Sequence, residues 1–241
     1  MSELASKQLL LHYWKIPGRA SLPYMLLKIC EMPVEYICEA SLEEKETYKT
    51  SAPFGQLPVL VDRANDVVIA QSAAVAVYAA RLTNLDGLSI NLKTYANSLQ
   101  YIELESELMT ICGKALYTGE IGSIERGAAW KDAKSKIDKL LLCVVRNLGT
   151  LRFLNEGLNE PTAADLALFS AMMLLTSAGL WGDSLFQKFP TLRQHYAECL
   201  TVRPELAAVV EEISSWEPYY KFTETVVTAA ALDANGEEVW V

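Results

Sequence analysis

The feature that most constrains this chain is a change of texture near residue 82. Before it, strand-like and helix-like runs alternate; beyond it, apolar residues recur at helical spacing alone. In the first part, residues 8–13 form a short apolar run with strand character, Pro17-Gly18 breaks it, and residues 20–30 carry apolar side chains at helical spacing. Residues 34–38 read as a second strand and residues 42–49 as a short polar helix. Val59-Leu60-Val61 follows a cluster of Pro53, Gly55 and Pro58, and Val67-Val68-Ile69, after a turn-like 63–66, is placed to pair with it antiparallel. A helix over 73–81 closes the region. This order, βαβ, a linking helix, then ββα, predicts a small α/β sheet. Past it, long helical patterns cover 92–117 and 123–148, followed by 162–178, 189–200 and 204–214. Asn, Asp and Gly cluster over 83–89, so the expected domains are 1–83 and 90–220, with 221–241 as a tail. In that tail, Asn235-Gly236 between short apolar segments fits a hairpin, a returning strand or a flexible end.

Composition excludes several functions. With 241 residues, 51% hydrophobic and 21% charged, the chain is long and apolar enough for a full core. A net charge of −9 argues against nucleic acid as partner, because phosphates need clustered Lys and Arg to displace their counterions. The five cysteines, Cys30, Cys38, Cys112, Cys143 and Cys199, form no C-x-x-C or zinc spacing, and only His12 and His195 could assist a metal. No metal is therefore expected, and the thiols fit free, mostly buried residues in a reducing cytosol. Residues 1–11 contain a three-leucine run and no longer apolar region, so no secretory signal is expected. The uncharged stretch 166–182 is interrupted by Ser170, Thr176, Ser177, Gly179 and Gly182, and reads as a helix buried on all sides rather than a membrane span.

Four segments carry chemistry. Pro58 in Gly55-Gln56-Leu57-Pro58 either opens a strand as an ordinary trans proline or, if cis, presents the Leu57 backbone to an extended ligand. Ser72, in Ala70-Gln71-Ser72, is an N-cap or part of an anion site at a helix N-terminus. Tyr13 ends the first strand, where α/β sheets bind ligands, though a strand aromatic also serves as core; His12 must point to the opposite face. Thr162-Ala163-Ala164-Asp165 reads as a structural capping box led in by Pro161.

Taken together, Leu11-His12-Tyr13-Trp14 with Gly18-Arg19-Ala20, Ala52-Pro53-Phe54-Gly55-Gln56-Leu57-Pro58-Val59-Leu60, Gln71-Ser72 with Tyr78-Ala79-Ala80-Arg81, and the 162–165 box resemble the cytosolic glutathione transferases, most closely the tyrosine-dependent, sigma-like branch. The resemblance implies a thioredoxin-like N-terminal domain, an all-helical C-terminal domain and a two-fold homodimer. It makes glutathione the co-substrate and Tyr13 the catalytic residue whose hydroxyl bonds the glutathione sulfur, with Arg19 beside it. Leu57, ahead of a cis Pro58, would pair with the cysteinyl unit; Gln71 and Ser72 would hold the γ-glutamyl carboxylate; Gln56 and Lys49 match positions near the glycine end. Ile16 and Pro17, with Met109, Gly113, Leu116 and Tyr117 on the long helix, would line the pocket for an apolar electrophile. The family often has a tryptophan where Lys45 stands, and an acidic residue, here Glu103 or Glu105, that reaches the partner's glutathione. No cysteine lies near 16–19, which disfavours cysteine-based disulfide exchange.

The implied activity is conjugation of glutathione to small apolar electrophiles, or glutathione-dependent isomerisation, by a cytoplasmic enzyme working on neither nucleic acid nor membrane. Two other readings remain: a non-catalytic binding or structural protein on the same fold, and a carrier of apolar ligands.

Overall fold

The computed structural model describes residues 9–38, 52–119, 123–177 and 184–216, with the backbone of two short strands in the tail. Four strands form one mixed sheet: β1 (Leu9–Tyr13), β2 (Val34–Cys38), β3 (Val59–Asp62) and β4 (Val67–Ala70), in spatial order β2-β1-β3-β4. β1 pairs parallel with β2, which requires a crossover, and α1 (Ser21–Lys28) supplies it. β1–β3 and β3–β4 are antiparallel, with Leu11 opposite Leu60 and Leu60 opposite Ile69. Along β1, Leu9, Leu10, Leu11 and Tyr13 are buried and His12 is half-buried, so the strand is covered on both faces over most of its length. The expected helix over 42–49 lies outside the described residues.

α1 is buried over seven successive residues from Ser21 to Leu27, so it is an interior helix. It packs against α2 (Ser72–Leu82), whose inward residues Val75, Ala76, Ala79 and Ala80 are small enough for close approach. Asp62 fastens the β3–β4 hairpin to α2. Its carboxylate accepts from the Ala64 and Asn65 N–H groups, from Asn65 Nδ2 at 2.8 Å and from the Tyr78 hydroxyl at 2.8 Å.

The rest is helical: α3 (Leu92–Tyr117), α4 (Ile124–Leu148), α5 (Ala163–Ser177), α6 (Ser184–Lys188), α7 (Pro190–Val202) and α8 (Glu205–Ser214). α3 starts at Asn91, whose side chain caps the Thr94 N–H at 2.8 Å. Just before it, Gly87 has φ +79°, and a β-carbon there would lie 2.4 Å from Thr94 Cγ2, so only glycine fits. Residues 163–175 of α5 are buried without interruption, which is why this helix shows no polar face in sequence. No described helix is long and apolar enough to cross a membrane. The buried side chains of β1, α1, α2, α3 and α5 form one continuous core spanning both parts of the chain. In the tail, β5 (Ala230–Leu232) and β6 (Glu238–Trp240) pair antiparallel, the hairpin among the three possibilities left open by the sequence.

The box at the start of α5 is more extensive than its four residues suggest. Asp165 accepts from the Thr162 N–H at 2.9 Å and hydroxyl at 3.1 Å, from the Leu154 N–H at 2.7 Å and from His195 Nε2 at 3.0 Å. It thus ties α5 to the preceding loop and to α7.

Candidate active site

Tyr13 leaves the end of β1 and is only 4% exposed, yet it lines a cavity of about 320 Å³. The loop after β1 brings its own backbone against the ring: the Arg19 N–H donates to the Tyr13 hydroxyl at 3.3 Å. The loop is held by Ser21, whose hydroxyl accepts the Gly18 N–H at 2.9 Å and whose own N–H donates to the Gly18 carbonyl at 2.8 Å. Gly18 packs on the phenol so closely that a β-carbon would stand 3.0 Å from the Tyr13 oxygen. Burial pushes the Tyr13 hydroxyl up to about 12, against the Arg19 N–H and charge, which lower it, while Tyr117 and Glu105 add to the rise. Tyr13 therefore keeps its proton across the physiological range.

The Arg19 side chain crosses to α3, where its Nη2 donates to Thr110 Oγ1 at 3.0 Å. Arg19 and Thr110 form a shared wall. On one side is the Tyr13 cavity, lined also by Pro17, Met109, Cys112, Gly113, Lys114, Tyr117 and Leu174. On the other is a larger, polar cleft of about 840 Å³, lined by Gly55, Gln56, Leu57, Gln71, Ser72, Ala73, Ala74, Glu103 and Ser106. Of the residues expected to bind glutathione, Gln56, Leu57, Gln71 and Ser72 line the polar cleft, Arg19 lines both spaces and Tyr13 lines the cavity, together with Pro17, Met109, Gly113 and Tyr117 expected at the electrophile.

The polar cleft ends at the N-terminus of α2. The sequence left Ser72 open as N-cap; here Gln71 holds that position and no side chain caps the helix. Ser72 is the first helical residue. Gln71 has φ +75°, a region that L residues rarely adopt, and its Nε2 donates to Gln56 Oε1 at 3.2 Å. The uncapped helix N-terminus presents Ser72, Ala73 and Ala74 on the cleft wall, an arrangement that suits an anion. Opposite, the Leu57–Pro58 peptide is cis, Leu57 lines the cleft and Pro58 is buried at the start of β3.

Lys45 and Lys49 lie outside the described residues. Ile16 and Leu116, expected on the electrophile pocket, are half-buried and packed against the core, and neither is among the residues lining the cavity. Helical spacing admitted both core and pocket for Leu116, and core packing is what the fold makes of it. Glu105 is 4% exposed and turned inward to Ser170, so of the two acidic candidates only the exposed Glu103 stands at a surface, on the polar cleft. Thr110 and Lys114 were missed, although each directly follows an expected pocket residue, Met109 and Gly113. Phe54 is 65% exposed. Cys30, Cys112, Cys143 and Cys199 are free thiols.

Residues 10–81 match the family described as Glutathione S-transferase, N-terminal domain. No curated protein sequence matches the chain. Among solved structures, a Fasciola hepatica sigma class GST superposes with a TM-score of 0.71 at 21% identity, over 88% of this chain and 99% of that one. The glutathione transferase URE2P6 from Phanerochaete chrysosporium, in complex with oxidized glutathione, gives 0.73 at 21% identity, over 88% and 98%. A rat hPGDS complexed with a quinoline gives 0.70 at 20% identity, over 85% and 96%. These likenesses establish the fold: a thioredoxin-like N-terminal domain joined to a helical C-terminal domain, as in glutathione transferases.

Proposed function

We propose that this protein is a tyrosine-type glutathione transferase that conjugates glutathione to small apolar electrophiles. The observation that carries the reading is the meeting, at Arg19 and Thr110, of a polar cleft ending on a helix N-terminus with an apolar cavity holding a buried tyrosine hydroxyl. Glutathione has the matching shape. Its γ-glutamyl carboxylate takes the α2 N-terminus with Gln71 and Ser72, its cysteinyl backbone runs along Leu57, and Gln56 serves the glycine end. Glu103 is the acidic residue for the γ-glutamyl ammonium of the partner's glutathione. The sulfur then reaches Tyr13.

A thiol with a pKa near ~8.5 is only a few per cent thiolate at pH 7. Tyr13 keeps its proton and donates it in a hydrogen bond to the thiolate, and Arg19 adds positive charge at the same point. Both favour the anion over the thiol, so the thiol proton leaves to solvent. The thiolate attacks the electrophilic carbon held against Met109, Gly113 and Tyr117; a C–S bond forms and, for an aryl halide, halide departs. Phe54 at the surface fits a homodimer, and free thiols fit a cytoplasmic setting.

Mixing the protein with glutathione and a nitro-activated aryl halide is expected to give thioether at a rate proportional to protein concentration. A rate equal to the uncatalysed one would overturn the assignment. Two variants probe the geometry. Gly18→Ala adds a methyl group 3.0 Å from the Tyr13 oxygen, so the hydroxyl must yield by a few tenths of an ångström. Conjugation is expected to fall about fivefold with little change in thermal stability, since displaced catalytic groups lose rate steeply. Gln71→Gly relieves the backbone at φ +75°, and should raise unfolding free energy by about 1 kcal/mol. Calorimetry on the same variant should give glutathione affinity about tenfold lower, for one lost hydrogen bond to a charged group.

A further inference from the structure

The cavity that holds Tyr13 is lined mostly by apolar groups, yet two side-chain cations border it. Arg19 stands on one wall, where its Nη2 donates to Thr110 Oγ1 at 3.0 Å, and Lys114 lines the same space from α3. No carboxylate is among the described residues that line it. The positive charge is local, because the chain as a whole carries −9. On its other side Lys114 borders a cleft of about 370 Å³, together with Glu107, Asp132 and Lys136. Asp132 is engaged there by Lys136 at 2.6 Å. Among the described ion pairs none includes Lys114. Lys114 is exposed, so it stands where the cavity opens to solvent.

The two cations are not equivalent. Arg19 borders both spaces, is held by Thr110 and serves the thiolate in the proposed reaction. Lys114 borders the cavity and not the polar cleft, so its charge is left for the second substrate. A wholly apolar occupant would take water from an ammonium at this position and return no partner. An occupant ending in an anion supplies one, and a few placed polar groups are what orient a ligand in an apolar pocket. Thr110 and Lys114 are four residues apart, about 6 Å along the helix axis. An anion at Lys114 therefore sits about one aromatic ring from a carbon held beside the Arg19 wall. The reverse orientation would carry the anion towards the polar cleft, where Glu103 repels it. We propose, resting on the glutathione reading, that Lys114 is a specificity-determining residue and that the preferred electrophiles are apolar molecules ending in a carboxylate, bound with the acid at Lys114 and the reacting carbon towards Tyr13. The bond changes are those already given: the thiolate sulfur forms a C–S bond, and with an aryl chloride the chloride departs with the C–Cl electron pair.

The test compares 4-chloro-3,5-dinitrobenzoate with its neutral carboxamide on the full chain. Each kcat/KM is divided by the uncatalysed rate constant of the same electrophile with glutathione, so that intrinsic reactivity cancels. The resulting ratio should favour the carboxylate in the unaltered protein and fall about fivefold in Lys114→Gln, the worth of an ion pair near the surface. It should be kept in Lys114→Arg, which retains the charge, and fall further in Lys114→Glu, which reverses it. A merely structural role would lower both electrophiles alike and leave the ratio unmoved. A ratio that responds to neither Lys114→Gln nor Lys114→Glu would overturn the inference. Calorimetric titration of the unreactive 3,5-dinitrobenzoate and 3,5-dinitrobenzamide onto the same proteins, without glutathione, reads the site apart from the chemistry. Benzoate binding that weakens in Lys114→Gln, with neither chloro compound turned over, would remove the glutathione reading and leave the anion-binding cavity. Turnover of both chloro compounds with no Lys114 dependence in either assay would remove this proposal and leave the glutathione reading.

Discussion

Tyr13→Phe is expected to lower kcat/KM for conjugation by about 10- to 100-fold, the worth of one hydrogen bond to a charged acceptor. The variant removes a single oxygen. That oxygen accepts one described hydrogen bond, from the Arg19 N–H at 3.3 Å, and the ring stays in its buried place, so the melting temperature should change little. The loss should appear with any electrophile, because it acts on formation of the thiolate rather than on the second pocket. Burial holds the phenol near 12, so it is protonated across the assay range and the deficit should persist at every pH below that of free thiol ionisation. Steady-state kinetics alongside thermal melting separates this from a folding defect. Unchanged kcat/KM would remove Tyr13 from the chemistry.

Asp165→Ala should have the largest effect on stability. The capping box alone would cost about 1 kcal/mol. In the fold, however, the carboxylate is fully buried and accepts from two backbone N–H groups, a hydroxyl and an imidazole. Truncation leaves the Thr162 N–H, the Leu154 N–H and His195 without this partner in the interior. Each such loss costs about 1–3 kcal/mol and they are not additive, giving about 4 kcal/mol in all. For a chain of this size that lowers the melting temperature by about 10 °C. Thr162→Val, which removes only the hydroxyl, should cost about 1 kcal/mol. Equal, small losses for both would reduce Asp165 to an ordinary cap.

The difference between those two figures illustrates what the sequence could express. The box itself was legible because its residues are three apart. Its extensions to Leu154 and His195 were not, since they join elements 11 and 30 residues away. The sheet was legible for the same local reason: the short apolar run 8–13 and the paired apolar runs around a turn set β1, β3 and β4 before any tertiary contact is known. The all-round burial of α5 was legible from its lack of a polar face. At the site, Tyr13, Arg19, Leu57, Gln71 and Ser72 were expected through the resemblance of the surrounding motifs, and they line two adjoining spaces in the fold.

What escaped was side-chain direction on α3. Met109, Gly113 and Tyr117 reach the cavity, Leu116 does not, and Glu105 turns inward to a serine 65 residues away. Helical periodicity states that such residues share a face but not which neighbour covers it. Gln71 as an N-cap with φ +75° also escaped, because a strained non-glycine backbone has no sequence signature. The 184–188 helix was too short for periodicity to register.

The most direct test of the central claim is an ultraviolet titration of the thiol of glutathione bound to the full chain. Tyr13 and Arg19 at the thiol predict half-ionisation about two units below the ~8.5 of a free thiol. A bound thiol that titrates like the free one would contradict the account, whatever the affinity.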